Sequence, residues 1–339
     1  MEAALIRLFI LNFDQIEKRK QEQGLFFRKG FILKRILITG IDGFFGRHLQ
    51  KELELRNPSY LGIVIKQSSE IAKEKQIEAD ITDYPSVLRI IKEYQPDVII
   101  HLAAIASVTY NNTPELYRVN VCGAENILLA AKEAGKKGCR MIMISSAGVY
   151  GIQKEEYLSE ELQFNPVNHY SYTKMVMEVI CRQYRKDFDI KIVRPFTVVG
   201  RGQSSSFFVS KLVSSFSERK PVIELGNIES VRDYTDVELC ANTLAELACR
   251  EYVEEKVLNI CTGVETTGND VIEMLKQLTG FEPKITISSK YIRENEIWRL
   301  VGDNRGLKKF LGQKYKYKNI MEILKEMLEQ DKEKERIKE

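Results

Sequence analysis

The run Arg35-Ile36-Leu37-Ile38-Thr39-Gly40-Ile41-Asp42-Gly43-Phe44-Phe45-Gly46 decides the fold. Strand-like residues 35–39 end in a glycine-rich turn, and residues 44–56 read as a helix. Glycines at 40, 43 and 46 suit a tight turn, close approach of an anion to backbone amides, and close packing of the helix on the strand. A strand-to-helix turn of this kind is where a dinucleotide pyrophosphate sits, at the positive end of the helix.

Strand and helix signals alternate from Lys34 onward, the pattern of a parallel sheet covered on both faces. Further strands are expected at 61–65, 97–103, 140–145 and 190–193, the last closed by Pro195. Residues 114–134 read as one helix through Leu116, Val119, Ile127, Leu128 and Ala131. After Pro195 the rhythm changes to Gly, Ser and charged residues. The expected class is therefore α/β, a Rossmann doubly wound parallel sheet with a smaller C-terminal α/β substrate-binding region. The nucleotide-binding domain is expected at 34–198, with 232–262 returning to it through a strand at 257–261. Residues 199–231 and 263–328 would form the second region, and 329–339 a charged helix end.

Residues 1–33 precede the first strand. Their apolar stretch 3–13 is broken by Arg7 and too short to span a bilayer. Two readings stay open: a peripheral amphipathic helix packed on the domain or a partner, or a reading frame begun too early. Arg28-Lys29-Gly30 can be encoded by a purine-rich, ribosome-binding-like stretch, with Leu33 as an alternative start.

A second signal is Tyr170-Ser171-Tyr172-Thr173-Lys174. A spacing of four puts Tyr170 and Lys174 on one helix face, where an ammonium can hold a phenol near ionisation. Tyr150 and Lys154, and Tyr252 and Lys256, show the same spacing. Context separates them: Pro166 and Asn168 supply a helix start before Tyr170, and Met175, Val176, Val179 and Ile180 follow as an apolar stripe. Gly151 spoils the first rival, and Tyr252 lies in a charged run that reads as a solvated helix end. With the glycine turn, the diad points to a nicotinamide-dependent enzyme.

The bulk numbers narrow the partners. The 339 residues, 44% of them hydrophobic, can bury a large core. A net charge of +3 without basic runs interleaved with aromatics argues against nucleic acid. Six cysteines without paired spacing and three histidines indicate neither a disulfide framework nor a metal site. Asn111-Asn112-Thr113 matches a glycosylation acceptor formally, but no secretory signal stands behind it, and the expected compartment is reducing cytoplasm.

These motifs, with His101-Leu102-Ala103-Ala104, Asn120-Val121-x-Gly123-x-x-Asn126, Ser145-Ser146-Ala147-Gly148-Val149-Tyr150-Gly151, Arg194-Pro195-Phe196 and Arg232-Asp233-Tyr234-x-Asp236-Val237, resemble in content and order the extended short-chain dehydrogenase/reductases that modify nucleotide sugars. The resemblance runs from about Lys34 to Lys316. It implies Tyr170 as general acid/base, Lys174 as the group that binds the nicotinamide ribose and lowers the Tyr170 pKa, and Ser146 as hydrogen-bond partner of the reacting oxygen. It places Gly40, Gly43, Phe44, Phe45, Gly46, Leu102, Ala103, Ala104 and Pro195 along the cofactor, and Asp80-Ile81 at the adenine. Relatives that select NAD carry an acid at the end of the second strand. Here Ile65-Lys66-Gln67-Ser68-Ser69 offers no carboxylate, and Lys66, the two serines and Arg47 suit a 2′-phosphate, which favours NADP(H) over NAD(H).

The implied substrate is a nucleoside-diphosphate sugar, and the implied assembly a homodimer. Arg232 and Arg293 would grip its diphosphate with bidentate guanidinium groups, while Ser107, Thr197 and Gln203 line its pocket. The stretches 199–203 and 207–209 resemble the pocket of GDP-4-keto-6-deoxymannose reductases, although Thr197 stands where many relatives carry Asn. The 4,6-dehydratases of the family carry an acid pair just after the catalytic Ser/Thr, where this chain has Ala147 and Gly148. That leaves NADPH-dependent reduction of the 4-keto group of a nucleoside-diphospho-4-keto-6-deoxyhexose as the expected reaction. The alternatives are an NAD(P)-dependent 4-epimerase and a non-catalytic NAD(P)-binding sensor.

Overall fold

A computed structural model describes residues 34–292 and 295–338, with side chains up to Asp331. The expectations for residues 1–33 and for Arg293 lie outside the described residues. The first half of the chain runs β1 (Arg35–Thr39), α1 (Phe44–Arg56), β2 (Ser59–Val64), β3 (Gln76–Glu78), α2 (Tyr84–Tyr94), β4 (Val98–His101), α3 (Thr113–Tyr117), α4 (Gly123–Glu133), β5 (Arg140–Ile144), α5 (His169–Gln183) and β6 (Asp189–Pro195). It continues through β7 (Thr197–Val199), α6 (Phe208–Ser217), β8 (Val222–Leu225), β9 (Val231–Arg232), β10 (Tyr234–Asp236), α7 (Val237–Cys249) and β11 (Val257–Ile260). The remaining elements are β12 (Thr266–Thr267), α8 (Gly268–Thr279), β13 (Lys284–Ile287), β14 (Arg299–Leu300), α9 (Arg305–Leu311) and α10 (Ile320–Lys338).

Seven strands form the main sheet in the order β11-β6-β5-β4-β1-β2-β3. Strand β1 runs parallel to both β2 and β4, β2 to β3, and β4 to β5. The order reverses between β1 and β4, the switch point outside which α/β sheets bind nucleotides. Ile36, Leu37, Ile38, Ile99, Ile100, Met141 and Ile142 are all fully buried. Their unbroken apolar runs are what a sheet buried on both faces requires.

The chain divides into two compact units. One comprises residues up to Ile144 with Val176–Ile192 and Leu244–Lys256; the other comprises Ser145–Met175, Val193–Thr243 and residues from Val257 on. In the first unit, Arg140 is a buried cation whose cost is met by many partners. Its guanidinium donates to the carbonyls of Leu247, Arg250 and Glu251 and to Asp189 Oδ2, the last at 2.8 Å. Burial works to raise the Asp189 carboxyl, but hydrogen bonds from Lys191 and Arg140 outweigh it and hold it below its usual range. In the second unit, a core of Val209, Leu212, Val213, Phe216, Leu275 and Leu324 joins α6, α8 and α10.

Two expectations need correction. The helix expected over 114–134 is α3 and α4 joined by a π-helical segment, Arg118–Cys122, which turns Asn120 inward. There the Asn120 amide bonds both the N–H and the carbonyl of Ile105, at 2.8 and 3.0 Å. On α5 the stripe of Met175, Val176, Val179 and Ile180 is the less buried face, with Val179 43% exposed. Lys174, Met177, Glu178 and Cys181 are buried instead, because the polar side of this helix faces inward.

Replacing Arg140 with Met leaves three backbone carbonyls without their donor. We expect a loss of about 3 to 5 kcal/mol in urea unfolding, the usual cost of breaking a buried charged network, with Arg140→Lys recovering part of it. Because Asp189 has a lowered pKa, its contribution should be complete above the ordinary carboxylate pKa of about 3.9 and vanish as pH falls through the lowered native value.

Candidate active site

The nucleotide end is built from the turn after β1. Gly40 has φ +69, and a Cβ there would stand 2.9 Å from the backbone of Ala103, so both chirality and space demand glycine. A Cβ on Gly46 would stand 2.2 Å from the Ile41 carbonyl oxygen, which allows α1 to start directly against the turn. Gly43 is the N-cap of α1 with no side-chain cap, and no acidic residue occupies the first turn. The amides of Phe44, Phe45 and Gly46 therefore present uncapped donors and the positive end of the helix dipole. This cradle fits a dinucleotide pyrophosphate.

The loop after β4 is fixed beside it. The Thr39 hydroxyl bonds His101 Nδ1 at 2.8 Å and accepts from the Ala103 N–H at 3.1 Å, while Leu102 N–H donates to the Thr39 carbonyl. These bonds, with the Asn120 clamp on Ile105, set the backbone of Leu102, Ala103 and Ala104. Ile81 is a buried side chain whose carbonyl accepts from Asn126, so its side chain belongs to the core. Asp80 is exposed and receives the Thr82 N–H. Pro195 is the buried end of β6.

The second strand's end departs from the expectation of no carboxylate. The β2–β3 register brings Glu78 opposite Val64, and its Oε1 accepts from the Gln67 N–H at 2.8 Å. Glu70 pairs with Arg47 at 3.5 Å. Lys66 is exposed. Two cations and two carboxylates thus share the place where a ribose 2′-substituent would be read.

The residues expected to be catalytic lie in the second unit. Asn168 caps α5, its Oδ1 accepting from the Ser171 N–H at 2.9 Å, and this cap fixes where the helix presents Tyr170 and Lys174. The Tyr170 phenol is hydrogen-bonded to Ser146, and desolvation pushes its pKa up to about 12 against that bond. Ser146 Oγ also accepts from the Gly148 N–H at 3.1 Å. Lys174 is buried one turn from Tyr170. Desolvation of the hydroxyl is the largest influence on this phenol. A Cβ on Gly148 would stand 2.5 Å from Ser171 Oγ, so a side chain at this position would require Ser171 to turn away.

The rivals of Tyr170 are accounted for. Tyr150 is fully buried, donates to Asn259 Oδ1 at 2.7 Å and accepts from Arg194 at 2.9 Å, and burial pushes its phenol far up. Tyr252 is exposed beyond the end of α7. The sequence marked neither Asn259 nor Arg194 as partners, since both come from distant strands.

The proposed substrate residues divide. Arg232 on β9 is ion-paired with Glu296 at 3.4 Å, both side chains mostly buried. Thr197 pairs with Tyr234 across β7 and β10. The Gln203 amide is taken up at both ends, donating to the Val198 carbonyl and accepting from Ser210, so it braces its own loop. The Ser107 hydroxyl bonds Thr109. Among the described residues, no helix is long and apolar enough to cross a membrane, and no group of His, Cys, Asp and Glu is arranged to hold a metal.

Residues 36–261 match the NAD dependent epimerase/dehydratase family. The chain is 35% identical over 294 residues to a GDP-6-deoxy-D-talose 4-dehydrogenase of Aggregatibacter actinomycetemcomitans, covering 86% of this chain and 96% of that protein. It is 27% identical over 285 residues to a GDP-6-deoxy-D-mannose reductase of Pseudomonas aeruginosa, covering 81% and 90%. Solved structures of similar fold include RMD from Pseudomonas aeruginosa complexed with NADPH, at TM-score 0.76 and 26% identity over 89% of this chain and 99% of that one. Another is MoeE5 in complex with UDP-glucuronic acid and NAD, at TM-score 0.79 and 25% identity over 88% and 99%. With the cradle at Gly40–Gly46, the Ser146–Tyr170 pair and these matches together, the chain belongs to the NAD dependent epimerase/dehydratase family.

Proposed function

We propose that the protein reduces the C4 ketone of a nucleoside-diphospho-4-keto-6-deoxyhexose, using NADPH. The observation that carries this reading is the placement of Tyr170 at the capped start of α5, with Lys174 buried one turn on and Ser146 beside the phenol. Ketone reduction needs an acid at the carbonyl oxygen, and a phenol whose pKa lies well above neutrality holds its proton until that oxygen gains negative charge. The cofactor supplies a hydride when bound. Tyr170 delivers its proton to the oxygen that becomes the C4 hydroxyl, and Ser146 bonds the same oxygen and orients it. The amides at 44–46 would hold the pyrophosphate, Lys174 the nicotinamide ribose, and Lys66 with Arg47 the 2′-phosphate.

The relatives support the substrate class. A reductase and a 4-dehydrogenase are named for GDP-linked 6-deoxyhexoses that differ in configuration at C4, so both names fit hydride transfer on that class of sugar. Ala147 and Gly148, where a dehydratase would need its acid pair, argue against a dehydratase. A second reading, a 4-epimerase that retains NAD, is favoured by one observation: Glu78, at the end of β3 and opposite Val64 of β2, is a carboxylate of the kind that accepts ribose hydroxyls.

An NADPH-oxidation assay against a panel of nucleoside-diphospho-4-keto-6-deoxyhexoses tests the reaction, and turnover of a GDP-linked member is expected. Tyr170→Phe should lower turnover roughly 10²- to 10⁴-fold with little change in cofactor affinity. Because the acid must be protonated, reduction should be flat near neutrality and decline on the alkaline side, and that limb should disappear in Tyr170→Phe.

Cofactor choice follows from charge at the end of β2. Fluorescence titration should show NADPH bound more tightly than NADH, with Lys66→Asp reversing part of that preference. Tighter binding of NADH by the unmodified protein would hand the lead to the epimerase reading. Arg232→Ala should remove a charge-assisted contact of about 1.5 to 3 kcal/mol, raising substrate KM roughly ten- to a hundredfold while NADPH affinity holds. Arg232→Lys should recover only part, lacking the planar fork.

A further inference from the structure

Trp298 is the single tryptophan of the chain and stands 64% exposed. Its backbone is firmly held. The Val231 N–H donates to its carbonyl at 2.8 Å and the Asp233 N–H donates to that of Leu300 at 3.0 Å, so the ladder between β9 and β14 already begins at residue 298. The register pairs Leu300 with Arg232 and Arg299 with Val231. Side chains alternate along an extended strand and register partners share a face, which sends Leu300 to the face of Arg232 and Arg299 to the other; Trp298 stands at the bend just before β14 with its carbonyl already in the ladder.

The contacts of Arg299 agree. It grips Glu265 through two nitrogens at 2.7 Å each, donates to the Glu156 carbonyl at 2.9 Å and lies 5.6 Å from the Tyr157 ring. This clamp fixes the rotation of the strand. On the opposite face Glu296 holds Arg232. A large, exposed aromatic ring thus stands two residues before the register partner of a guanidinium of the kind that pairs with phosphate, itself mostly buried against Glu296.

A guanidinium and a ring so disposed suit two parts of one ligand, a diphosphate and the base joined to it through ribose. We infer that Trp298 is a specificity-determining residue of the substrate site, its indole the platform on which the nucleobase of the nucleoside diphosphate stacks. The inference rests on the nucleotide-sugar reading above. Stacking accepts any base, but the gain grows with ring area, so guanine is held better than uracil.

The emission of Trp298 reports on this directly, since no other tryptophan contributes. With oxidised cofactor saturating, GDP should quench it saturably, UDP less, and inorganic pyrophosphate not at all. By calorimetry, Trp298→Ala should raise the GDP Kd roughly five- to a hundredfold, leave the pyrophosphate Kd unchanged, and be largely rescued by Trp298→Phe. GDP binding with unaltered emission, or wild-type GDP affinity in Trp298→Ala, overturns the inference and leaves the substrate reading standing. Failure of both GDP and UDP to bind the unmodified protein removes the reading and the inference together.

Discussion

The carboxylate of Asp233 is fully buried and surrounded by donors from three stretches of chain. Its Oδ1 accepts the N–H and hydroxyl of Thr262 at 2.9 and 2.7 Å, and its Oδ2 the N–H groups of Gly263 and Gly302 at 2.7 and 3.3 Å. Burial pushes the carboxyl up even against these bonds. An unpaired carboxylate in that position would cost several kcal/mol, so the ends of β9, β11 and β14 have to converge on it. Its own carbonyl accepts the Thr197 N–H at 3.0 Å, which adds β7 to the same knot. The placement of Arg232, one residue earlier, follows from this satisfaction of a buried charge, as does the path of the strand that carries Trp298.

How much of this the sequence announces depends on the range of the interaction. The glycine turn, the first helix at 44–56 and the start of α5 are read correctly because their causes are local: a positive φ at Gly40, an Asn168 side chain reaching three residues along. The return of 257–260 to the sheet is also legible, since a short apolar run between charged segments has few other homes. Glu78 was missed as a neighbour of Gln67 because only the β2–β3 register brings them together. The stripe on α5 misleads for a different reason. Hydrophobic periodicity locates the buried face only when nothing polar must be inside, and here Lys174 and Glu178 are. The roles proposed for Ser146, Tyr170 and Lys174 came from resemblance, and the geometry adds the pairing of the first two.

The raised phenol of Tyr170 changes the chemical argument more than it changes the residue list. A lysine-lowered phenol would be a base in waiting, suited to take a proton from an alcohol. A phenol pushed up to about 12 by desolvation is an acid in waiting. Reduction leaves Tyr170 as the phenolate, so an enclosure that raises its pKa keeps the proton on Tyr170 before the step and opposes its loss, while the Ser146 hydroxyl acts the other way. Enclosure also explains why Ser146 matters, since in a desolvated pocket its hydroxyl stabilises the phenolate form.

The cofactor argument is decided by magnitudes at the end of β2. Arg47 and Glu70 are 40% and 63% exposed at the side chain and 3.5 Å apart, and such surface pairs contribute about 0 to 1 kcal/mol. A 2′-phosphate offers Arg47 a charge-assisted bond of about 1.5 to 3 kcal/mol, enough to draw it from Glu70, and it offers Lys66 a partner as well. Glu78 acts the other way, yet it already accepts the Gln67 N–H, and a carboxylate engaged with backbone is a weaker acceptor for a ribose diol than one with both oxygens turned outward. On the proposed reading the balance tilts to the phosphorylated cofactor by a margin small enough for one charge reversal at Lys66 to move. That sensitivity is what places reductase and epimerase close together on this scaffold, because a consumed cofactor and a retained one are distinguished first by what the end of a single strand can hold.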